Sequence, residues 1–143
     1  AMDRLPEMAS GIIKVISGKV PDFIVSEQMF IGKSFDSIEY PLKLHGIEEY
    51  AANVAGILDV PIAISTWRSL CGFLNNLEIG TDQKMTKKEK DAYYKKTSIQ
   101  MAGKITGLEI RDDNHGDAIC IGFAISKILK TYIQYVQKDA KKK

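Results

Sequence analysis

Acidic side chains concentrate in two short segments of this chain. PDFIVSEQMF, residues 21–30, is an apolar run that ends on Glu27, and DDNHGDAICIG, residues 112–122, opens a helical pattern with Asp112, Asp113 and Asp117. A strand that delivers one carboxylate towards the head of a helix bearing others is a way to assemble a magnesium site. Magnesium takes oxygen ligands, commonly one or two protein carboxylates completed by water and substrate phosphate. The chemistry this predicts is metal-dependent phosphodiester hydrolysis. Each acid also has a simpler explanation. Aspartates at a helix start are common caps, so Asp112, Asp113 and Asn114 are also readable as capping residues, and Asp117 as a capping or solvated one. Glu27 follows Phe-Ile-Val, a position expected near the core boundary, where an unpaired charge is costly.

Basic residues form a second chemical group. Between Lys84 and Lys104 there are seven lysines (Lys84, Lys87, Lys88, Lys90, Lys95, Lys96 and Lys104) against Glu89 and Asp91. Net charge is only +2, so it is the clustering that suggests phosphate contact. A lysine-rich helix face is also commonly just solvated. Trp67-Arg68 has a DNA-contact reading, by guanidinium–phosphate pairing or stacking. Its alternative is a core tryptophan beside a surface arginine. Tyr93 and Tyr94 are expected to pack, and Lys138 and Lys141 to Lys143 read as a solvated basic tail.

The elements that must position these groups follow from periodicity. Leu5, Met8, Ala9, Ile12, Ile13 and Ile16 predict an amphipathic helix over 4–17, closed by Gly18. Residues 23–26 predict a short strand buried on both faces. Residues 31–40 read as a polar loop and 42–58 as a second helix, with Gly46 inside it as a weak point or a place of close approach. Asp59-Val60-Pro61 should break that helix, with a strand over 62–65 and a short helix over 66–74. Residues 75–83 read as a loop. Thr86-Lys87-Lys88-Glu89 has the form of a capping box for a helix running to about Ala102, with Gly103 and Gly107 at its end. A last helix is expected over 114–137. Short links between helices and strands argue for an α/β fold with parallel strands.

At 143 residues, 45% hydrophobic and 27% charged, the chain can build one folded domain over 1–143. No apolar run approaches the ~20 residues of a membrane span, and AMDRLPEMAS lacks the pattern of a secretory signal. Cys71 and Cys120 belong to no metal-binding spacing, so they are expected to be buried reduced thiols of a cytoplasmic protein.

Taken together, these segments resemble the RuvC-type crossover-junction endonucleases of the ribonuclease H-like superfamily, in particular their phage and prophage versions. PDFIVSEQMF resembles the strand that ends in a catalytic glutamate. YPLKLHGIEEYAANVAGIL resembles the following helix, VPIAISTWRS the next strand and its basic site, and DNHGDAICIGFA the metal-binding aspartate at the head of the last helix. The resemblance spans about Asp3 to Leu129. It implies a ribonuclease H-like three-layer fold, N-terminally incomplete because the family's first three antiparallel strands and their essential aspartate have no counterpart here. It gives Glu27 and Asp117 the role of ligands to two Mg2+ or Mn2+ ions. Asn114 stands where the family usually has an aspartate or histidine, Asp113 is a possible substitute, and His115 ranks below both. It further implies a homodimer acting on branched double-stranded DNA. Strand 23–27 would then have an open edge, expected to be covered by a partner or by local rearrangement. Two rivals stand beside the enzyme: a junction-binding module that lacks catalysis, and an actin-like ATPase relative, for which no glycine-rich phosphate loop is evident.

Overall fold

The computed structural model describes residues 4–19, 21–28, 35–73 and 85–140. They form α1 (Leu5–Lys19), β1 (Phe23–Glu27), α2 (Phe35–Ala55), β2 (Leu58–Ile62), α3 (Ile64–Leu70), α4 (Lys87–Thr106) and α5 (Asp113–Ala140). The chain divides into two compact units, 1–63 and 64–143.

In the first unit, β1 and β2 pair in parallel, with Phe23 opposite Leu58 and Glu27 opposite Ile62. Helices α1 and α2 pack together, and Ile16, Ala51, Ala52 and Ile57 form a small core against which Ile12 and Ile24 rest. β1 is not buried on both faces as expected. Phe23 and Glu27 are exposed and the three residues between them are half-buried. Among the described residues β1 pairs only with β2, so its outer edge carries no further strand.

Helix α2 starts at Phe35, well before the expected residue 42, and takes in part of the presumed loop. The expectation rested on the polar run over 31–40 and on an apolar stripe that begins at Leu42. Here Pro41 lies inside the helix, at the cost of one backbone hydrogen bond. Glu39 and Lys43, which flank Pro41, pair at 2.6 Å, and the Tyr40 hydroxyl lies 2.8 Å from Met8 Sδ of α1. The second strand also lies earlier than expected, at 58–62 instead of 62–65. Gly56 has φ +69, and the Ile57 N–H donates back to Ala52 O at 2.9 Å. That closes α2 at Ala55 and frees Leu58 to extend. Pro61 does not break the strand. Ile62 O accepts from the Gln28 N–H at 2.8 Å, so the neighbouring Pro61 nitrogen faces away from β1, where no donor is needed.

The second unit is helical. α3 spans 64–70 in place of the expected 66–74 and ends in a turn through Gly72, φ +79. Trp67, Phe73, Ala102, Cys120 and Ala124 are fully buried or nearly so. Trp67 and Phe73 meet edge to face at 5.3 Å, and Phe73 stacks on Tyr94. The predicted capping box at α4 is present in full: Thr86 Oγ1 accepts from the Glu89 N–H at 3.3 Å, and the Thr86 N–H donates to Glu89 Oε2 at 2.7 Å. Gly107, one of the two glycines expected at the end of α4, closes it in the left-handed region at φ 72, while Gly103 stays inside the helix. α4 crosses α5 closely, with Gly116 against Ser98.

Candidate functional site

Glu27 is the last residue of β1 and is exposed. The parallel pairing sets it opposite Ile62 at the end of the two-stranded sheet. One register step inward, Ser26 Oγ donates to Asp59 Oδ1 at 3.2 Å, a diagonal cross-strand contact. Asp59 in turn raises the pKa of Glu48 on α2. Burial is the larger cause of that rise, and His45, 3.8 Å from Glu48, opposes it. The polar group of Ser26, Asp59, Glu48 and His45 was not anticipated from sequence. Its members come from a strand that was placed four residues too late and from a helix face with little amphipathic signal.

The head of α5 lies in the second unit, and its acids have separate roles. Asp112 caps the helix: its Oδ1 accepts from the Asn114 N–H at 3.1 Å and its carbonyl from the Gly116 N–H at 2.9 Å. The Asn114 side-chain amide also turns to Asp112, at 3.4 Å. Asp113 pairs with Lys95 of α4 at 3.0 Å. The hydrogen bond from Lys95 holds the Asp113 carboxyl below its usual range, and the same contact raises Lys95. Asp117, one turn further on and half-buried, takes part in neither arrangement. His115 is exposed. The capping reading therefore describes Asp112 and Asn114, and an ion pair occupies Asp113, which leaves Asp117 as the acid of this segment with a ligand role still open.

The basic candidates also separate. Trp67 is 0% exposed, so its indole has no surface to offer a base, and the core reading replaces the DNA-contact one. Arg68 is half-buried. Its guanidinium lies 4.1 Å from the Tyr94 ring centroid and 5.2 Å from that of Trp67. Its Nε is buried with no hydrogen-bond partner among the described residues. Tyr94 as the seat of Arg68 was not visible in the sequence, since the two lie on different helices with no spacing to link them. Tyr93 packs as expected, its hydroxyl donating to Phe73 O at 2.9 Å. Lys87, Lys88, Lys95 and Lys96 are all exposed along α4. Lys84 falls outside the described residues.

Glu27, on β1 of the first unit, and Asp117, on α5 of the second, each offer carboxylate oxygens of the kind a hard divalent cation takes. Among the described residues no three acidic, histidine or cysteine side chains gather into a metal cluster. Nor is any helix there long and apolar enough to cross a membrane.

No protein-family model matches the chain, and no curated protein matches it in sequence. Solved structures do match it in fold. Thermus thermophilus RuvC in complex with a Holliday junction substrate superposes with a TM-score of 0.65 at 14% identity, covering 90% of this chain and 69% of that one. A second Thermus thermophilus RuvC structure gives 0.62 at 16% identity with the same coverage. The chain thus has a RuvC-like fold, built here as a mostly helical structure with a small two-stranded parallel sheet.

Proposed function

We propose that this chain is part of a structure-selective DNA endonuclease that cuts branched or four-way junction DNA with the help of divalent metal ions. The observation that carries the reading is the fold match to RuvC over 90% of the chain, joined to an acid at the strand end and another in the first turns of the last helix. Glu27 and Asp117 would hold Mg2+ or Mn2+, with Asn114 as a neutral oxygen donor. In nucleases of this kind two bound ions activate water and stabilise the leaving oxygen. Arg68, lying 4.1 Å from the centroid of the Tyr94 ring, is suited to a phosphate oxygen, and Lys87, Lys88 and Lys96 supply sequence-independent attraction to the backbone. A homodimer is part of the proposal, since a four-way junction presents paired strands for symmetric cleavage.

Incubation with a labelled four-way junction and Mg2+ tests the reading. Strand cleavage is expected for the junction and not for linear duplex, and Glu27→Gln should abolish cutting while junction binding persists. A second reading is a junction-binding module without catalysis. It is favoured by Asn114, a neutral side chain at the head of α5 where the resemblance implies an acid or histidine. Junction binding with no cleavage, identical in the natural protein and in Glu27→Gln, would select it. Failure to prefer junction over duplex in either assay would remove both.

A further inference from the structure

The proposed DNA chemistry makes no use of the two cysteines of the second unit. Cys71 lies in the turn after α3 and Cys120 in the second turn of α5, 49 residues apart in sequence. Both thiols are free, and their residues are only 3% and 0% exposed. Cys71 Sγ donates to the carbonyl of Cys120 at 3.2 Å, while Cys120 Sγ lies 3.9 Å from Ser98 O. The Cys71 thiol thus sits against the backbone of Cys120 itself. The contact is unequal in its effect. The hydrogen bond from Cys120 holds the Cys71 thiol below its ordinary 9.0, opposed by burial and assisted by Lys127. The same contact, with burial, pushes Cys120 up. Lys127 is fixed near the pair by its hydrogen bond to Leu70 O at 2.8 Å. Cys71 lies in the turn just past α3, where its N–H still donates to Trp67 O at 3.0 Å.

We propose that Cys71 and Cys120 form an oxidisable dithiol, which a small peroxide closes to a disulfide fastening the turn after α3 to α5. The Cys71 thiolate attacks one oxygen of hydrogen peroxide. The O–O bond breaks, the departing hydroxide takes a proton to become water, and Cys71 is left as a sulfenic acid. The Cys120 sulfur then attacks the Cys71 sulfur. The S–O bond breaks, and the leaving hydroxide departs as a second water with the Cys120 proton. Two thiols are oxidised and one peroxide is reduced to two waters. Burial selects the oxidant: a peroxide is small enough to enter through local opening, whereas a bulky disulfide such as oxidised glutathione is not.

The test uses the native chain. The protein is treated with hydrogen peroxide, free thiols are blocked, and the tryptic peptides are read by mass spectrometry. The expected product is a cross-linked peptide pair containing Cys71 and Cys120, reversed by dithiothreitol and accompanied by an upward shift in Tm, because the bond closes a long loop. Oxidised glutathione should give far less of it. In Cys120→Ala the resolving thiol is gone, and a sulfenic-acid trap should label Cys71. The proposal is overturned if both thiols remain free after peroxide, if the disulfide forms only between molecules, or if the glutathione arm reacts as readily as the peroxide arm. Should Cys120→Ala fail to fold, the cross-link in the natural protein still decides.

Discussion

Replacing Gly116 by alanine should weaken the fold, although the same replacement six residues further along α5 should strengthen it. A Cβ built on Gly116 falls 2.7 Å from Ser98 Oγ, 3.1 Å from the Ser98 carbonyl carbon and 3.2 Å from the Ile99 nitrogen. The hydroxyl could rotate away, but the two backbone atoms of α4 cannot. At Gly122 nothing lies within 4 Å of the same atom. Within a helix, alanine is favoured over glycine by ~1 kcal/mol, so Gly122→Ala should gain up to that amount. Gly116→Ala carries the same intrinsic gain but must open the α4–α5 crossing, and overpacking of this kind costs ~1–3 kcal/mol. The difference between the variants isolates the packing cost. At roughly 3 °C per kcal/mol for a chain of this size, their melting temperatures should lie about 3–9 °C apart, with Gly116→Ala the lower. Thermal melts followed by far-ultraviolet circular dichroism would measure this. Equal shifts of the same sign would mean that α4 and α5 do not meet at Gly116.

Glu48→Gln should raise stability at neutral pH and flatten its pH dependence. Burial raises the Glu48 pKa above its ordinary 4.5, so the stability it lends is full below that value and is lost as pH climbs through the raised one. Urea unfolding at several pH values would show the curves of the natural protein and the variant converging under acid conditions. Thr86→Ala removes the cap that accepts from the Glu89 N–H and should cost ~1 kcal/mol, with hydrogen exchange fastest in the first turn of α4. Junction binding measured against salt should lose about one unit of slope for Lys88→Ala. Lys95→Ala should lose less, because Lys95 already pairs with Asp113. Equal losses at the two lysines would show that this ion pair opens when DNA binds.

Local signals carried well from sequence to structure where one short-range interaction decides the outcome. The Thr86–Glu89 capping box, the α4 stop near Gly107 and the cap role of the Asp112 segment all depend on residues within a few positions of each other. The amphipathic pattern of α1 was legible for the same reason, and the parallel pairing of β1 with β2 followed from the alternation of helices and strands with short links. Element boundaries carried less well. The polar run 31–40 suggested a loop and Asp59-Val60-Pro61 a break, yet α2 takes in Phe35 to Tyr40 and the outward-facing edge of β2 accommodates Pro61. Both outcomes depend on partners distant in sequence, which a local rule does not contain. The site residues divide along the same line. Nothing near Trp67 in the sequence distinguishes a buried indole from an exposed one. The stacking of Arg68 on Tyr94, the Lys95–Asp113 pair and the meeting of Cys71 with Cys120 all join separate helices of the second unit.

Glu27 and Asp117 are proposed metal ligands, and Mn2+ binding followed by electron paramagnetic resonance tests that role most directly. The natural protein should bind Mn2+, and Glu27→Gln and Asp117→Asn should each weaken that binding at least tenfold, about 1.4 kcal/mol or more, while His115→Ala leaves it unchanged. Mn2+ affinity that is unaffected by neutralising either carboxylate would contradict the account.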